Sequence, residues 1–306
     1  MKQDFLAETD FSKAEIIRVL ELAGKLKQET RQRIPHPLLS GRTLAMIFLK
    51  PSNRTRVSFE VGMYQLGGHA LYLGPQEIGL GTRESVADVA RVLARFCDAI
   101  MARVFGHDLV VELARWASVP VINGLSDHLH PCQILGDCLT ILEHKKKLEG
   151  IKLAYVGDGN NIANSWINLS SVFSLDLRIA CPKGYEPDRG LVAASQQKNV
   201  SQLLITADPA QAVAGADVVY TDTWASMGQE AEAEKRKKIF QPYRVDEKLL
   251  AAANPDHIVM HCLPAHRGDE ITDAVMDGPH SVVFDEAENR LHIQKAILVK
   301  LLQPQD

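Results

Sequence analysis

Two domains of α/β type, each a mainly parallel sheet flanked by helices, are predicted by three features of the sequence. Apolar runs of strand length alternate with stretches of helical period along the whole chain. The 306 residues suffice for two domains of ordinary size. Near residue 150 the pattern restarts with a new strand and a glycine turn, which sets the domains at 1–149 and 150–306.

The first helix covers 11–28, with Ile16, Val19, Leu20, Ala23 and Leu26 on one face and Ser12 and Glu15 at capping-box spacing. Residues 44–49 are short and continuously apolar, as a buried strand is, and 57–66 form the helix that follows, closed by Gly67-Gly68. A strand at 69–73 leads into 74–83, whose three glycines and Pro75 predict a mobile loop. Helix 84–97, strand 99–102 ending on Arg103, helix 107–117 and strand 119–123 continue the alternation. His130-Pro131 opens the next helix, where Pro131 suits a first helical position, and the helix runs into the basic end 144–147. In the second half, strands at 152–156, 177–180, 202–205, 217–220, 257–260 and 282–284 alternate with helices at 188–197, 209–214 and the charged 231–238. A closing helix spans 285–302.

Composition narrows the function classes. A hydrophobic content of 46% with 24% charged residues is that of a soluble globular enzyme. The net charge of −4 provides no basic field to recruit nucleic acid, so an anionic substrate needs local arginines. No apolar run approaches the ~20 residues that span a bilayer. The first residues, Met1-Lys2-Gln3-Asp4-Phe5, hold no apolar core of a signal peptide. Five cysteines (97, 132, 138, 181 and 262) make an odd number without paired spacing. Reduced thiols in the cytoplasm, and no zinc site, are expected from them.

Lys50-Pro51-Ser52-Asn53-Arg54-Thr55-Arg56 sits between a strand and a helix start. Hydroxyls, guanidinium forks and free first-turn N–H groups there make an anion site. Taken alone, the stretch fits a capped surface helix with solvated arginines equally well. In a parallel sheet, ligands bind beyond the carboxyl ends of the strands, and that edge also receives Arg103 and His130. Gln133, one turn along from His130, gives the same helix start a second group able to donate to a carbonyl oxygen. In the second half, Asn161, Asp222 and Cys262 end up on one sheet edge. Gly157-Asp158-Gly159 resembles half of a dinucleotide loop, but the third glycine and the ribose-binding acid are missing, which weighs against a nicotinamide dehydrogenase.

Ser-x-Arg-Thr-Arg, His-Pro-x-Gln, Asp-Gly-Asn-Asn, Asp-x-Trp-x-Ser-Met-Gly-Gln-Glu and His-Cys-Leu-Pro, in this order, resemble the ornithine carbamoyltransferases over essentially the whole chain. The first two motifs are shared by the wider carbamoyltransferase family; Ser-Met-Gly and His-Cys-Leu-Pro point to the ornithine branch. The resemblance implies transfer of a carbamoyl group from carbamoyl phosphate to L-ornithine, giving L-citrulline and phosphate. It implies a phosphate cradle of Ser52, Asn53, Arg54 and Thr55 joined by Arg103. His130, Pro131, Cys132 and Gln133 would then hold the carbamoyl group, with Thr55, Arg103 and His130 donating to its oxygen. Arg290, with Cys262 and Leu263, would close over the carbamoyl end. Asn161, Asp222, Ser226 and Met227 match the amino-acid contacts, Asp222 pairing with the α-ammonium and Cys262 orienting the δ-amine. No metal or organic cofactor is implied, and neither nucleic acid nor membrane is a partner. A C-terminal helix of about 285–306 packed on the first domain, a homotrimer or a multiple of it, and a role in arginine biosynthesis are implied as well. Two positions depart from the family pattern: Asn53 replaces a threonine, and Gly79 stands where relatives carry a glutamine or histidine that reaches a neighbouring subunit. Related enzymes acting on putrescine, aspartate or acylated ornithine are the nearest rivals. Asp222 favours a substrate with a free α-amino group, and the Ser-Met-Gly loop disfavours aspartate.

Overall fold

The computed structural model describes residues 2–225 and 230–303. The chain forms two compact units, one built from residues up to Leu139 together with those from Glu288 onward, the other from Thr140–Ala287. Both divisions fall inside helices.

The first unit contains α1 (Lys13–Arg31), β1 (Thr43–Phe48), α2 (Asn53–Gln65), β2 (His69–Leu73), α3 (Pro75–Ile78), α4 (Val86–Phe96), β3 (Ala99–Arg103), α5 (His107–Trp116), β4 (Val121–Leu125) and most of α6 (Pro131–Lys145). Its four strands run parallel in the order β2-β1-β3-β4. Leu44, Ala45, Met46, Ile47 and Phe48 of β1 are all buried, so both faces of this sheet are covered. Ala45 and Ile47 join Ile100 and Ala102 of β3, Val89 and Ala90 of α4, and Val110 and Leu113 of α5 in one core.

The second unit holds β5 (Lys152–Val156), α7 (Asn161–Ser170), β6 (Asp176–Ala180), α8 (Arg189–Lys198), β7 (Gln202–Thr206), α9 (Pro209–Val213) and β8 (Val218–Thr221). It continues with α10 (Ala233–Phe240), α11 (Glu247–Leu250), β9 (Ile258–His261), α12 (Asp273–Met276) and the start of α13 (Val283–Leu302). Its sheet is again parallel, in the order β7-β6-β5-β8-β9. Ala154, Val156, Val219 and Val259 form the centre of its core with Ala212, Val213 and Ile271.

From Glu288 onward, α13 belongs to the first unit, as the returning C-terminal helix requires. Lys27 Nζ donates to Asn289 Oδ1 at 2.7 Å. The buried Lys295 Nζ donates to Thr30 Oγ1 (2.9 Å), Gln65 Oε1 (2.8 Å) and His36 Nε2 (3.1 Å), and burial lowers its pKa to about 8.

Four local expectations change. The strand expected at 282–284 is instead the start of α13; only Ser281 makes a bridge, to Val259, before Glu286 N bonds Val282 O and the helix begins. Residues 75–78 of the expected loop form a helical turn, nucleated by Pro75 in its first turn and ended by Gly79 at φ +54°. β4 starts two residues late because Pro120 has no N–H to give the ladder. Finally, α2 begins at Asn53, with Ser52 as its N-cap, so the cradle residues are themselves the first helical turn. Among the described residues no helix is long and apolar enough to cross a membrane. All five cysteines are free thiols.

Candidate active site

Each sheet has one place where the strand order reverses, and ligand-binding crevices form there in parallel sheets. In the first unit it lies between β1 and β3, in the second between β5 and β8. Among the described residues, most of those singled out in the sequence lie at or beside these two points.

At the first, register pairs Phe48 with Arg103 and Arg103 with Leu125, so the turns after β1, β3 and β4 leave one edge together. Ser52 Oγ accepts from Thr55 N–H at 3.3 Å, a cap worth about 1 kcal/mol, and donates to Thr55 Oγ1 at 3.2 Å. The fully buried Thr55 hydroxyl also accepts from Arg290 Nη2 at 2.8 Å and, at a long 3.5 Å, from Arg103 Nη1. One hydroxyl on the first turn of α2 thus gathers two arginines from distant parts of the sequence. Arg54 is half-buried beside it, while Asn53 is exposed. Arg56 does not join them: two residues along a helix is a turn of roughly 200°, and its guanidinium pairs with Glu60 Oε1 (2.9 Å) and stacks on Tyr72.

His130 precedes α6, and Pro131, Cys132 and Gln133 make its first turn. All four are buried. Cys132 Sγ points to Asn123 O (3.4 Å), and burial pushes its thiol up to about 12, so Cys132 offers the site backbone rather than sulfur. His130 is held well below 6.5, first by burial and then by Arg290, Arg103 and Arg54. It is therefore a neutral imidazole facing three guanidinium groups. Positive charge and helix N-termini together suit a dianion with a carbonyl beside it.

That depressed pKa fixes the sign of a pH effect. Below about pH 6.5 the unfolded chain protonates this histidine while the folded chain does not, so stability falls as pH drops through that value. His130→Asn is expected to flatten the fall in thermal midpoint between about pH 7.5 and about pH 5.5, measured by calorimetry. His36, His107, His257 and His292 are lowered too and keep some of the slope.

At the second point, β5, β8 and β9 end in line, Val156 opposite Thr221 and Thr221 opposite His261. Asp222 is buried and accepts three hydrogen bonds: from Thr223 N–H (2.7 Å) and Cys262 Sγ (3.0 Å) at Oδ1, and from Asn160 Nδ2 (2.7 Å) at Oδ2. Asn160 is also the N-cap of α7; its Oδ1 accepts from Ile162 N–H (2.9 Å) and Tyr155 Oη–H (3.1 Å). Asn161, next along, is half-buried at the first helical position. Ser226 and Met227 lie outside the described residues.

His261 supports the turn after β9. Its Nδ1 accepts from Leu263 N–H at 2.9 Å, so Nε2 carries the proton and donates to buried Glu270 Oε1 at 3.0 Å. Leu263 sits in the left-handed region at φ +60°, a conformation that costs a leucine about 1–2 kcal/mol and that this N–H bond helps to hold. Ligand atoms of Asp222, His261 and Cys262 lie within 4.8 Å of one another, as metal ligands do. Both imidazole nitrogens are already engaged, so the trio does not fit a metal centre.

Arg236 and its partner Asp158, not picked from the sequence, complete this half. Arg236 of α10 is buried and donates from Nη1 to Asp158 Oδ2 (2.9 Å) and Trp224 O (2.8 Å). Burial outweighs Arg236 and raises Asp158 to about 6. Asn160 was legible beside Asn161 as a polar residue able to reach a small ligand at the strand edge; Arg236 had no signal, since it lies in a charged run that reads as solvated. The glycine loop does not cradle a pyrophosphate. A Cβ on Gly159 would run into the backbone of Tyr185, Glu186 and Pro187, so the protein's own chain fills the close approach that a dinucleotide needs.

Residues 3–143 match the family description "Aspartate/ornithine carbamoyltransferase, carbamoyl-P binding domain", and 149–301 match "Aspartate/ornithine carbamoyltransferase, Asp/Orn binding domain". An ornithine carbamoyltransferase of Pelobacter propionicus is 54% identical over 302 residues, covering 99% of either chain. One of Pyrococcus abyssi is 55% identical, covering 98% of this chain and 96% of its own. The solved ornithine carbamoyltransferase of Pyrococcus furiosus superposes with a TM-score of 0.95 at 52% identity, over 100% of this chain and 98% of that one. The anabolic enzyme of Campylobacter jejuni gives 0.93 at 42%, over 98% and 99%. With both domain types matched in order and relatives this similar from end to end, the chain belongs to the aspartate/ornithine carbamoyltransferase family.

Proposed function

We propose that this protein is an ornithine carbamoyltransferase, converting carbamoyl phosphate and L-ornithine to L-citrulline and phosphate in arginine biosynthesis. The observation that carries the reading is the gathering of Arg54, Arg103 and Arg290 around a neutral His130 and the Thr55 hydroxyl. Ser52, Asn53, Arg54 and Thr55 take the phosphate at the start of α2, with Arg103. Neutral His130 donates a proton in a hydrogen bond to the carbamoyl oxygen, and Thr55 and Arg103 add donors as charge develops there. One such donor is worth about 3–4 kcal/mol in the transition state. Pro131, Cys132 and Gln133 shape the carbamoyl end, and Arg290 and Leu263 contribute to it. In the second unit Asp222 takes the α-ammonium of ornithine with Asn161, Ser226 and Met227, and Cys262 orients the δ-amine.

The neutral δ-amine forms the new C–N bond at the carbamoyl carbon. The C–O bond to phosphate breaks, and the departing phosphate can take the proton that the amine loses. Positioning two substrates and excluding water supply most of the acceleration. A phosphate leaving group makes the acyl donor reactive by itself, so no cofactor is called for. The test is a citrulline assay with ornithine, putrescine, acetylornithine and aspartate offered side by side. Turnover of any rival amine above that of ornithine would refute the assignment.

The working form is a homotrimer, or a multiple of it, in the cytoplasm. Val57, Val61 and Tyr64 form one exposed stripe on α2, and Tyr64 is 81% exposed. Leu71 is exposed on β2, the edge strand of its sheet. An apolar stripe beside an open sheet edge is what a second copy covers. Light scattering is expected to give three times the chain mass, or a multiple of that, and Val61→Asp to reduce it to one. A wild-type monomer would remove this part of the proposal.

A further inference from the structure

We propose that Asp137 is a positioning residue that fixes which way the Gln133 carboxamide faces, so that the site selects a carbamoyl NH2 over a methyl group of the same size. The inference rests on the carbamoyl-transfer reading above and adds the source of its donor selectivity. Gln133 Nε2 donates to Asp137 Oδ1 at 2.8 Å, and both side chains are fully buried. They lie four residues apart on α6, so they share one helix face. The two ends of a carboxamide are nearly the same shape, and its partners decide its orientation. In this bond the NH2 end of Gln133 faces the Asp137 carboxyl oxygen, which turns Oε1 away from Asp137.

This orientation has a chemical consequence. His130 is the donor of the helix start, and Gln133 becomes its acceptor. The pair then mirrors a carbamoyl group, whose oxygen accepts and whose nitrogen donates. An acetyl group offers the same oxygen but no donor, leaving a buried acceptor facing a methyl. Sites built to hydrogen-bond a ligand N–H or O–H reject analogues that lack it far more strongly than apolar pockets reject a change in size. If Gln133 were turned over, its NH2 would face the ligand's NH2 and the preference would vanish.

The test compares phosphonoacetamide with acetonylphosphonate, which differ only by NH2 against CH3, alongside inorganic phosphate, all by calorimetry. The wild type is expected to prefer the amide by about tenfold or more. In Asp137→Asn the new amide can donate to Gln133 and let it turn. The ratio should then fall to about one, with phosphate affinity and melting temperature unchanged. Asp137→Ser, read the same way, covers the case in which Asp137→Asn folds poorly. A ratio that survives both substitutions, or a common loss of all three ligands, would overturn the role of Asp137. So would a wild type with no preference for the amide. A wild type that makes no citrulline and binds neither phosphate nor phosphonate would refute the transfer reading itself. A citrulline-forming enzyme with an unmoved ratio refutes only the inference drawn from Asp137.

Discussion

Asp222→Asn is expected to lower kcat/KM for ornithine by about 10³-fold, with the affinity for phosphate left intact. Three donors converge on this carboxylate, two at Oδ1 and one at Oδ2. An asparagine keeps one acceptor and must turn its NH2 toward Asn160 or toward Thr223 and Cys262, so donor faces donor on one side. It also removes the only negative charge the proposal assigns to the α-ammonium. Truncating one member of a buried charge pair costs about 2–5 kcal/mol, and each 1.4 kcal/mol is about tenfold. Steady-state kinetics with varied ornithine reads the change. A loss of less than about threefold would place Asp222 outside the amino-acid site.

Arg54→Ala is expected to weaken carbamoyl phosphate binding by about 10²–10³-fold. The guanidinium stands on the first turn of α2, where free N–H groups and the helix dipole already favour an anion, and the fork matches phosphate oxygens two at a time. Arg54→Lys keeps the charge and loses the fork, so it should fall between wild type and alanine. Calorimetry with phosphate and with carbamoyl phosphate checks both variants. Wild-type affinity in Arg54→Ala would mean that Arg103 and Arg290 hold the anion by themselves.

The alternation of buried strands and amphipathic helices was legible because a parallel sheet with both faces covered leaves continuous apolar runs, as in β1. Its failures were local. Val282-Val283-Phe284 has strand composition, but tertiary context starts a helix there, and one bridge to Val259 is all the pairing made. The first half of the site was legible because strand ends in a parallel sheet share an edge, so Arg54, Arg103 and His130 could be brought together on paper. Which arginine turns inward came only from the family resemblance, since by composition Arg54 and Arg56 are alike and differ only in where the helical period points them. The bonds that orient the site were out of reach for the same reason. The pairing of Asn160 with Asp222 spans 62 positions, and no local pattern encodes it. Asp137 is an ordinary acidic residue on a helix until its burial against Gln133 is seen.

The uneven placing of the five thiols gives the amino-acid half of the site a chemical handle. Cys97, Cys132, Cys138 and Cys181 are buried and held above the usual thiol range, Cys132 and Cys181 at about 12, and so have little of the thiolate that reagents attack. Cys262 is half-buried and touches Asp222. Accessibility therefore makes Cys262 the thiol that a dye reaches first, and that sulfur sits where the amine is proposed to bind. Labelling speed becomes a gauge of occupancy, readable without turnover and without altering a single residue.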